Sequence, residues 1–164
     1  MTYPAPRYFE DHGTVTAVYR PGTQAHDLEI GTNTKVGYLA TGATTDGLFG
    51  LYRWDMGPAI KSGTAGHYHT TFSESFYVLE GTIGLYNGET WVDGAPGDFF
   101  YVPPGGIHGF RNESGKPASM LILFAPGAPR EGYFEELAEV VASGRQLSED
   151  EWNEVYRRHD QYMV

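Results

Sequence analysis

Cysteine is absent from the 164 residues. That removes thiolate metal ligands, thiol nucleophiles and disulfides together. Basic residues are scarce, with 11 Lys and Arg against 21 Asp and Glu, a formal net charge of −10. A field of that sign repels nucleic acid and anionic membrane surfaces, so neither is expected as a partner. No apolar run approaches the roughly 20 residues of a membrane span. Met1-Thr2-Tyr3-Pro4 opens no secretory signal, so a cytoplasmic location is expected. There is no internal repeat. A chain of this length buries about two-thirds of its unfolded surface, enough for one core.

What is present is a β-rich middle between two different ends. Residues 1–34 are rich in Pro, Gly and Thr and read as an arm, with a short strand expected near Thr14 to Tyr19. Residues 35–128 alternate short apolar runs with Gly and Pro: Val36–Ala40, Leu48–Met56, Glu74–Leu79, Thr82–Tyr86, Asp98–Val102, His108–Arg111 and Ala118–Phe124. Asn87-Gly88 reads as the two-residue turn of a hairpin, since both positions tolerate positive φ. Many short, evenly spaced strands predict an all-β antiparallel jelly-roll barrel.

Residues 129–164 change period and form a helical extension. Tyr133, Phe134, Leu137, Val140 and Val141 recur at helical spacing. Ser148 and Glu151 then form a capping box, opening a second helix whose apolar face carries Trp152, Val155 and Tyr156. Its acidic start and its basic end at Arg157 and Arg158 suit the helix dipole. These helices are expected to cap the barrel or dock on a partner subunit.

The chemistry concentrates in two stretches. His67-Tyr68-His69 is followed after four residues by Glu74 and after six more by Gly81. Gly97 leads through Pro103 and Gly105 to His108 and Asn112. Residues two apart in a strand share a face, so His67 and His69 can grip one ion. Glu74 and His108 would join them from neighbouring strands. Imidazole suits iron, nickel, copper and zinc, and a carboxylate suits manganese as well, so the expected cofactor is one divalent transition metal ion: Fe, Ni, Mn or Zn.

With these residues in register the sequence resembles the cupins. The first cupin motif, G-x5-H-x-H-x(3,4)-E-x6-G, is matched by His67, His69, Glu74 and Gly81. Its leading glycine falls on Lys61, with Gly63 and Gly66 nearby. The second, G-x5-P-x-G-x2-H-x3-N, is matched by Gly97, Pro103, Gly105, His108 and Asn112. The fifteen residues between Gly81 and Gly97 resemble the compact spacing of small microbial cupins. The resemblance implies a double-stranded β-helix with metal ligands His67, His69, Glu74 and His108. It also implies dioxygenase, isomerase, decarboxylase or small polyketide cyclase activity.

Each ligand has a plainer alternative. A lone strand histidine is usually a core or surface group, which is the reading for His12, His26 and His159. The joint spacing of His67, His69 and His108 outweighs it, and a metal offsets the cost of burying Glu74. Asn112 is expected to hold a backbone turn. Phe76, Val78 and Phe110 share strand parity with the ligands and either line a substrate pocket or fill the core. Tyr101 is a further pocket candidate, and the Trp54 and Met56 pair, with Tyr52 beside it, is a weaker one. Four protein ligands on a six-coordinate ion would leave two positions open, whereas structural zinc closes its shell at four.

The function expected is a metal-dependent enzyme on a small organic substrate, an oxygenase of the quercetinase type, with Glu74 as the catalytic carboxylate. The alternatives are a non-redox isomerase, epimerase or cyclase, or a small-ligand-binding protein without turnover. Bases for the non-redox reaction would be Glu74, Tyr101, or His26 if the arm covers the barrel mouth. A homodimer is expected, because sheet edges need covering.

Overall fold

The computed structural model describes residues 2–58 and 66–164. Lys61 and Gly63, where the first motif would begin, lie outside them. The described residues form, in chain order, β1 (Leu28–Ile30), β2 (Thr34–Ala40), β3 (Gly50–Met56), β4 (His67–Tyr68), β5 (Ser73–Glu80), β6 (Ile83–Tyr86), β7 (Trp91–Gly94), β8 (Phe99–Val102), β9 (Gly109–Arg111), β10 (Ala118–Ala125), α1 (Arg130–Ser143), α2 (Glu149–Arg158) and β11 (Tyr162–Met163). No helix among them is long and apolar enough to cross a membrane.

The strands make an antiparallel jelly-roll barrel. One sheet runs β1-β2-β3-β10-β5-β8, a second runs β7-β6-β9, and β11 pairs with β4. A two-way backbone bridge, His67 N–H to His108 C=O at 3.0 Å and His108 N–H to His67 C=O at 2.9 Å, joins β4 to the start of β9. The β11-β4 pair thereby extends the second sheet. Alternation sets the interior: Trp54 on β3 lies opposite Met120 on β10, and Ile122 and Phe124 lie opposite Phe76 and Glu74 on β5. Across the barrel Phe110 of β9 meets Trp54 at 6.1 Å and Phe76 at 5.7 Å between ring centroids. These edge-on and tilted rings make one continuous aromatic core.

Two turns depend on glycine. Gly81 closes β5 into β6 with φ 72, and a Cβ there would sit 2.4 Å from the Pro117 carbonyl. Gly105, with φ 80, donates its N–H to the His69 carbonyl at 2.7 Å, tying the loop before His108 to the loop after β4.

Three expectations need correction. Thr14 to Tyr19 is not a strand: it is irregular and pairs with none of the sheets, and Val15, Val18 and Tyr19 are exposed. The first strand is instead β1, inside the stretch read as arm. The β6–β7 hairpin is not closed by two residues. Tyr86 pairs with Trp91, leaving a four-residue loop in which Asn87 Oδ1 accepts from the N–H groups of Glu89 and Thr90 at 3.0 and 2.8 Å. Within this loop only Gly88 takes positive φ; the asparagine side chain and the backbone bond from Asn87 N–H to the Thr90 carbonyl at 3.2 Å together hold the turn.

The helices close one end of the barrel. Tyr133 and Phe134 of α1 are buried, and Phe134 meets Tyr52 at 5.3 Å and Trp54 at 5.0 Å. The capping box of α2 is formed as the sequence predicts: Ser148 Oγ accepts from Glu151 N–H, and the Glu151 carboxylate accepts from Ser148 N–H.

Candidate metal centre

Both sheets and one connection deliver the cluster. Glu74 stands on β5 between Phe124 and Val102, in the larger sheet. His67 and His108 face it across their backbone bridge, and His69 follows directly after β4. All four side chains are buried, and one potential ligand atom from each lies within 4.8 Å of the others.

The protonation pattern explains why a cation suits this cluster. His69 Nδ1 meets the Asp160 carbonyl at 2.6 Å and His108 Nδ1 meets the Gly106 carbonyl at 2.9 Å. A carbonyl only accepts, so both Nδ1 atoms carry the proton. Their Nε2 atoms point at one carboxylate oxygen, Glu74 Oε2, at 3.1 and 2.9 Å. In neutral imidazoles those nitrogens are lone pairs facing an anion, which either a second proton or a metal ion relieves. Orientation by a hydrogen bond at the far nitrogen is the usual outer support of ligating histidines.

The electrostatics follow. Burial alone would raise the Glu74 carboxyl, but hydrogen bonds and positive charge from His108 and His69 outweigh it and hold the group below the usual carboxylate range. Burial alone would lower His108, but its bond to Glu74 and that residue's charge raise it. The pair is thus strongly coupled. The donor set, three imidazoles and one carboxylate in a closed, apolar site, fits one divalent transition metal.

A cavity of about 50 Å³ adjoins the cluster. Its walls include His67, Glu74, Trp54, Phe110 and Phe134, with Arg130 and Gln161 as further polar groups. Of the residues proposed from the sequence, Trp54 and Phe110 lie on this wall. Phe76 does not line the cavity; it packs behind His108, ring centroids 6.0 Å apart, and Val78 is core. Tyr52 and Met56 are core as well, the Tyr52 hydroxyl reaching Glu131 at 2.5 Å.

Tyr101 is a correction: it is 57% exposed on the outer face. Its neighbour Val102, paired with Glu74, takes the inward position, so strand alternation turns Tyr101 away. His26 also lies elsewhere, in a groove over the outer face of the larger sheet with Arg53 and Leu121. Asn112 holds a turn as expected, donating to the carbonyls of Gly57 and Lys116 and accepting from Ser114.

Sequence reasoning missed the polar groups supplied by the C-terminal extension. Asp160 gives its carbonyl to His69 and its carboxylate to Thr70 and Thr71. Arg130 and Gln161 are buried at the cavity. One signal existed: Arg130 shares the apolar stripe of Tyr133, Phe134 and Leu137, where a cation is out of place.

Comparison with known proteins agrees with this architecture. A family model described as a cupin domain (Cupin_2) matches residues 55–124. Quercetin 2,3-dioxygenase of Bacillus subtilis (strain 168) is 36% identical over 76 residues, 41% of this chain. The chain spans only 23% of that protein's length. Among solved structures, a predicted oxalate decarboxylase of Thermotoga maritima superposes with TM-score 0.57 at 18% identity, covering 67% of this chain and 99% of that one. An RmlC-like cupin of Shewanella frigidimarina gives 0.54 at 22%, covering 66% and 89%. The polyketide cyclase RemF of Streptomyces resistomycificus gives 0.52 at 24%, covering 66% and 78%. At these identities the structural likenesses speak for the fold. The stretch matched by the family model, residues 55–124, carries the buried His67, His69, Glu74 and His108 cluster and is similar to a cupin domain.

Proposed function

We propose that this chain is a metal-dependent enzyme acting on a small organic molecule, and that its reaction is an oxygenation of the dioxygenase type. The observation that carries the metal part is the convergence of His67, His69, Glu74 and His108 within 4.8 Å, with two Nδ1 protons fixed by backbone carbonyls. Oxygenation is supported by the 36% identity to a quercetin 2,3-dioxygenase, over a stretch that is 23% of that protein.

A divalent ion held by these four side chains would polarise a substrate oxygen and offer a place for dioxygen. The protein's own residues do the rest. Glu74 would serve as ligand or, detached from the ion, as the carboxylate that accepts a substrate proton. Trp54, Phe110 and Phe134 exclude water from the reacting group. The about 50 Å³ of room selects by size. A drug-sized ligand needs roughly 300 Å³ or more, so substrates smaller than a three-ring flavonol are favoured. The substrates favoured are small enols, diketones and keto acids.

Oxygen uptake by the iron, nickel and manganese forms, measured across a panel of such compounds, tests this. Uptake with at least one pair, abolished in Glu74→Gln, is expected. No uptake by any metal form would overturn the oxygenase reading. The small cavity favours one second reading, a Lewis-acid isomerisation or cyclisation that needs no room for dioxygen. Turnover that is equal under nitrogen would establish it. The oligomer we propose is a homodimer, supported by exposed Tyr77, Phe99 and Tyr101 near the β8 edge of the larger sheet. A monomeric mass in sedimentation would exclude it.

A further inference from the structure

Arg130 opens α1 and is 4% exposed, yet among the described residues its guanidinium has no ion-pair partner. Nη1 donates to the His159 carbonyl at 2.7 Å and Nη2 to Gln161 Oε1 at 3.3 Å. Nε is buried with no hydrogen-bond acceptor. The rings of Phe72, Phe124, Tyr133 and Phe134 surround the cation, with centroids 4.3 to 5.7 Å from its central carbon. Ring faces and two neutral acceptors offset only part of the cost of burying a full charge. A guanidinium has five N–H groups, and its fork matches an oxyanion.

This cation shares the cavity with His67 and Glu74. Trp54, on the same wall, carries a second buried donor without an acceptor, its Nε1. Both are donors only. Gln161, 1% exposed, has its carbonyl oxygen turned to Arg130. Among the described residues Glu74 is the carboxylate on the cavity wall, and a divalent cation at the cluster would neutralise it. The Asp160 carboxylate acts on Arg130 from outside the cavity and is held by Thr70 and Thr71. The cavity then holds an excess of positive charge and unspent N–H groups, in a space that fits only a few non-hydrogen atoms.

We propose that Arg130 anchors a small organic oxyanion, a carboxylate or enolate, in the cavity beside the metal centre. The substrate class of the enzyme is therefore small carboxylic acids and their keto or enol relatives, not neutral aromatics. This inference rests on the metal-centre reading of the preceding subsection. It assigns to the C-terminal extension the group that selects substrate charge, with Trp54 Nε1 as a second donor to the same anion.

The test uses full-length protein loaded with Co(II), whose visible absorption reports on the cluster. Metal content is measured first; then formate, acetate and pyruvate are titrated into wild type, Arg130→Met and Gln161→Glu. Gln161→Glu keeps the shape of the side chain but places a carboxylate 3.3 Å from Nη2, spending the charge internally. Wild type is expected to bind the anions, and both variants to bind them about 10- to 100-fold more weakly, at unchanged cobalt stoichiometry. A purely structural Arg130 would leave Gln161→Glu with wild-type anion affinity. That result overturns the inference while the metal centre stands, and it does so even if Arg130→Met fails to fold. No cobalt uptake by wild type would overturn both, and the metal content tells the two failures apart.

Discussion

The C-terminal segment is the outer support of the candidate metal cluster, and Asp160 is where that support can be cut. Its carboxylate accepts from Thr70 N–H at 3.0 Å, Thr70 Oγ1 at 2.5 Å, Thr71 N–H at 2.8 Å and Thr71 Oγ1 at 2.7 Å. Its carbonyl accepts from His69 Nδ1 at 2.6 Å. Partial burial would raise this carboxyl, but the bonds from Thr70 and Thr71 outweigh it and hold it below its ordinary value. Asp160 has φ 52, a conformation glycine adopts freely. Asp160→Gly therefore removes the four side-chain bonds without adding backbone strain. Discounted for solvent screening to about 0.5–1 kcal/mol each, they amount to about 2–4 kcal/mol. For a chain of this size that lowers Tm by about 5–15 °C. With the tail loosened, His69 loses its fixed orientation and metal affinity falls about 10- to 100-fold. Differential scanning fluorimetry of metal-free protein reads the first effect, and competition against a chromophoric chelator reads the second. A variant with wild-type Tm and wild-type metal affinity would show that this segment does not hold the ligand.

Four further outcomes follow from the same geometry. Metal affinity rises with pH through neutrality, because Glu74 raises His108 and metal binding must displace the proton that His108 keeps; a flat profile in chelator competition would contradict the Glu74–His108 coupling. In metal-free protein the same pairing contributes most in weakly acidic solution. The His108 contribution is complete below its unfolded pKa and lost as pH rises through the raised folded value. The Glu74 contribution is complete above its unfolded pKa and lost as pH falls through its lowered one, so Tm measured against pH should peak between these limits. Phe134→Ala removes the ring that pins α1 to Tyr52 and Trp54, and should cost about 3–5 kcal/mol in denaturant unfolding and enlarge the cavity; a loss under about 1 kcal/mol would mean that α1 is not packed on the barrel. Tyr101→Ala, on the outer face, should leave metal affinity and turnover unchanged.

The barrel was legible because its cause is local. Alternating runs such as Tyr52-Arg53-Trp54-Asp55-Met56 write the inward face directly into the chain, and the structure buries Tyr52, Trp54 and Met56. The cluster was legible because its spacing is fixed by strand parity and by turns that need glycine, as at Gly81 and Gly105. The Ser148–Glu151 capping box was legible for the same reason, since both partners sit within one turn. What escaped depends on distance along the chain. Asp160 reaches His69 across 91 residues and Arg130 reaches Gln161 across 31, and no period or motif joins such pairs. Tyr101 escaped because β8 is short and its phase is set by pairing with β5 rather than by its own run of Phe99, Phe100, Tyr101 and Val102. The Asn87 loop escaped because a dipeptide rule ignores the alternative in which the asparagine side chain satisfies the turn.

Elemental analysis of untagged protein purified without chelator, wild type beside His69→Ala, bears most directly on whether His67, His69, Glu74 and His108 form a metal centre. Near-stoichiometric iron, nickel, manganese or zinc in the wild type, lost in His69→Ala while the fold is kept, is the expected result. No bound metal in the wild type, even after reconstitution with each of these ions, would contradict it.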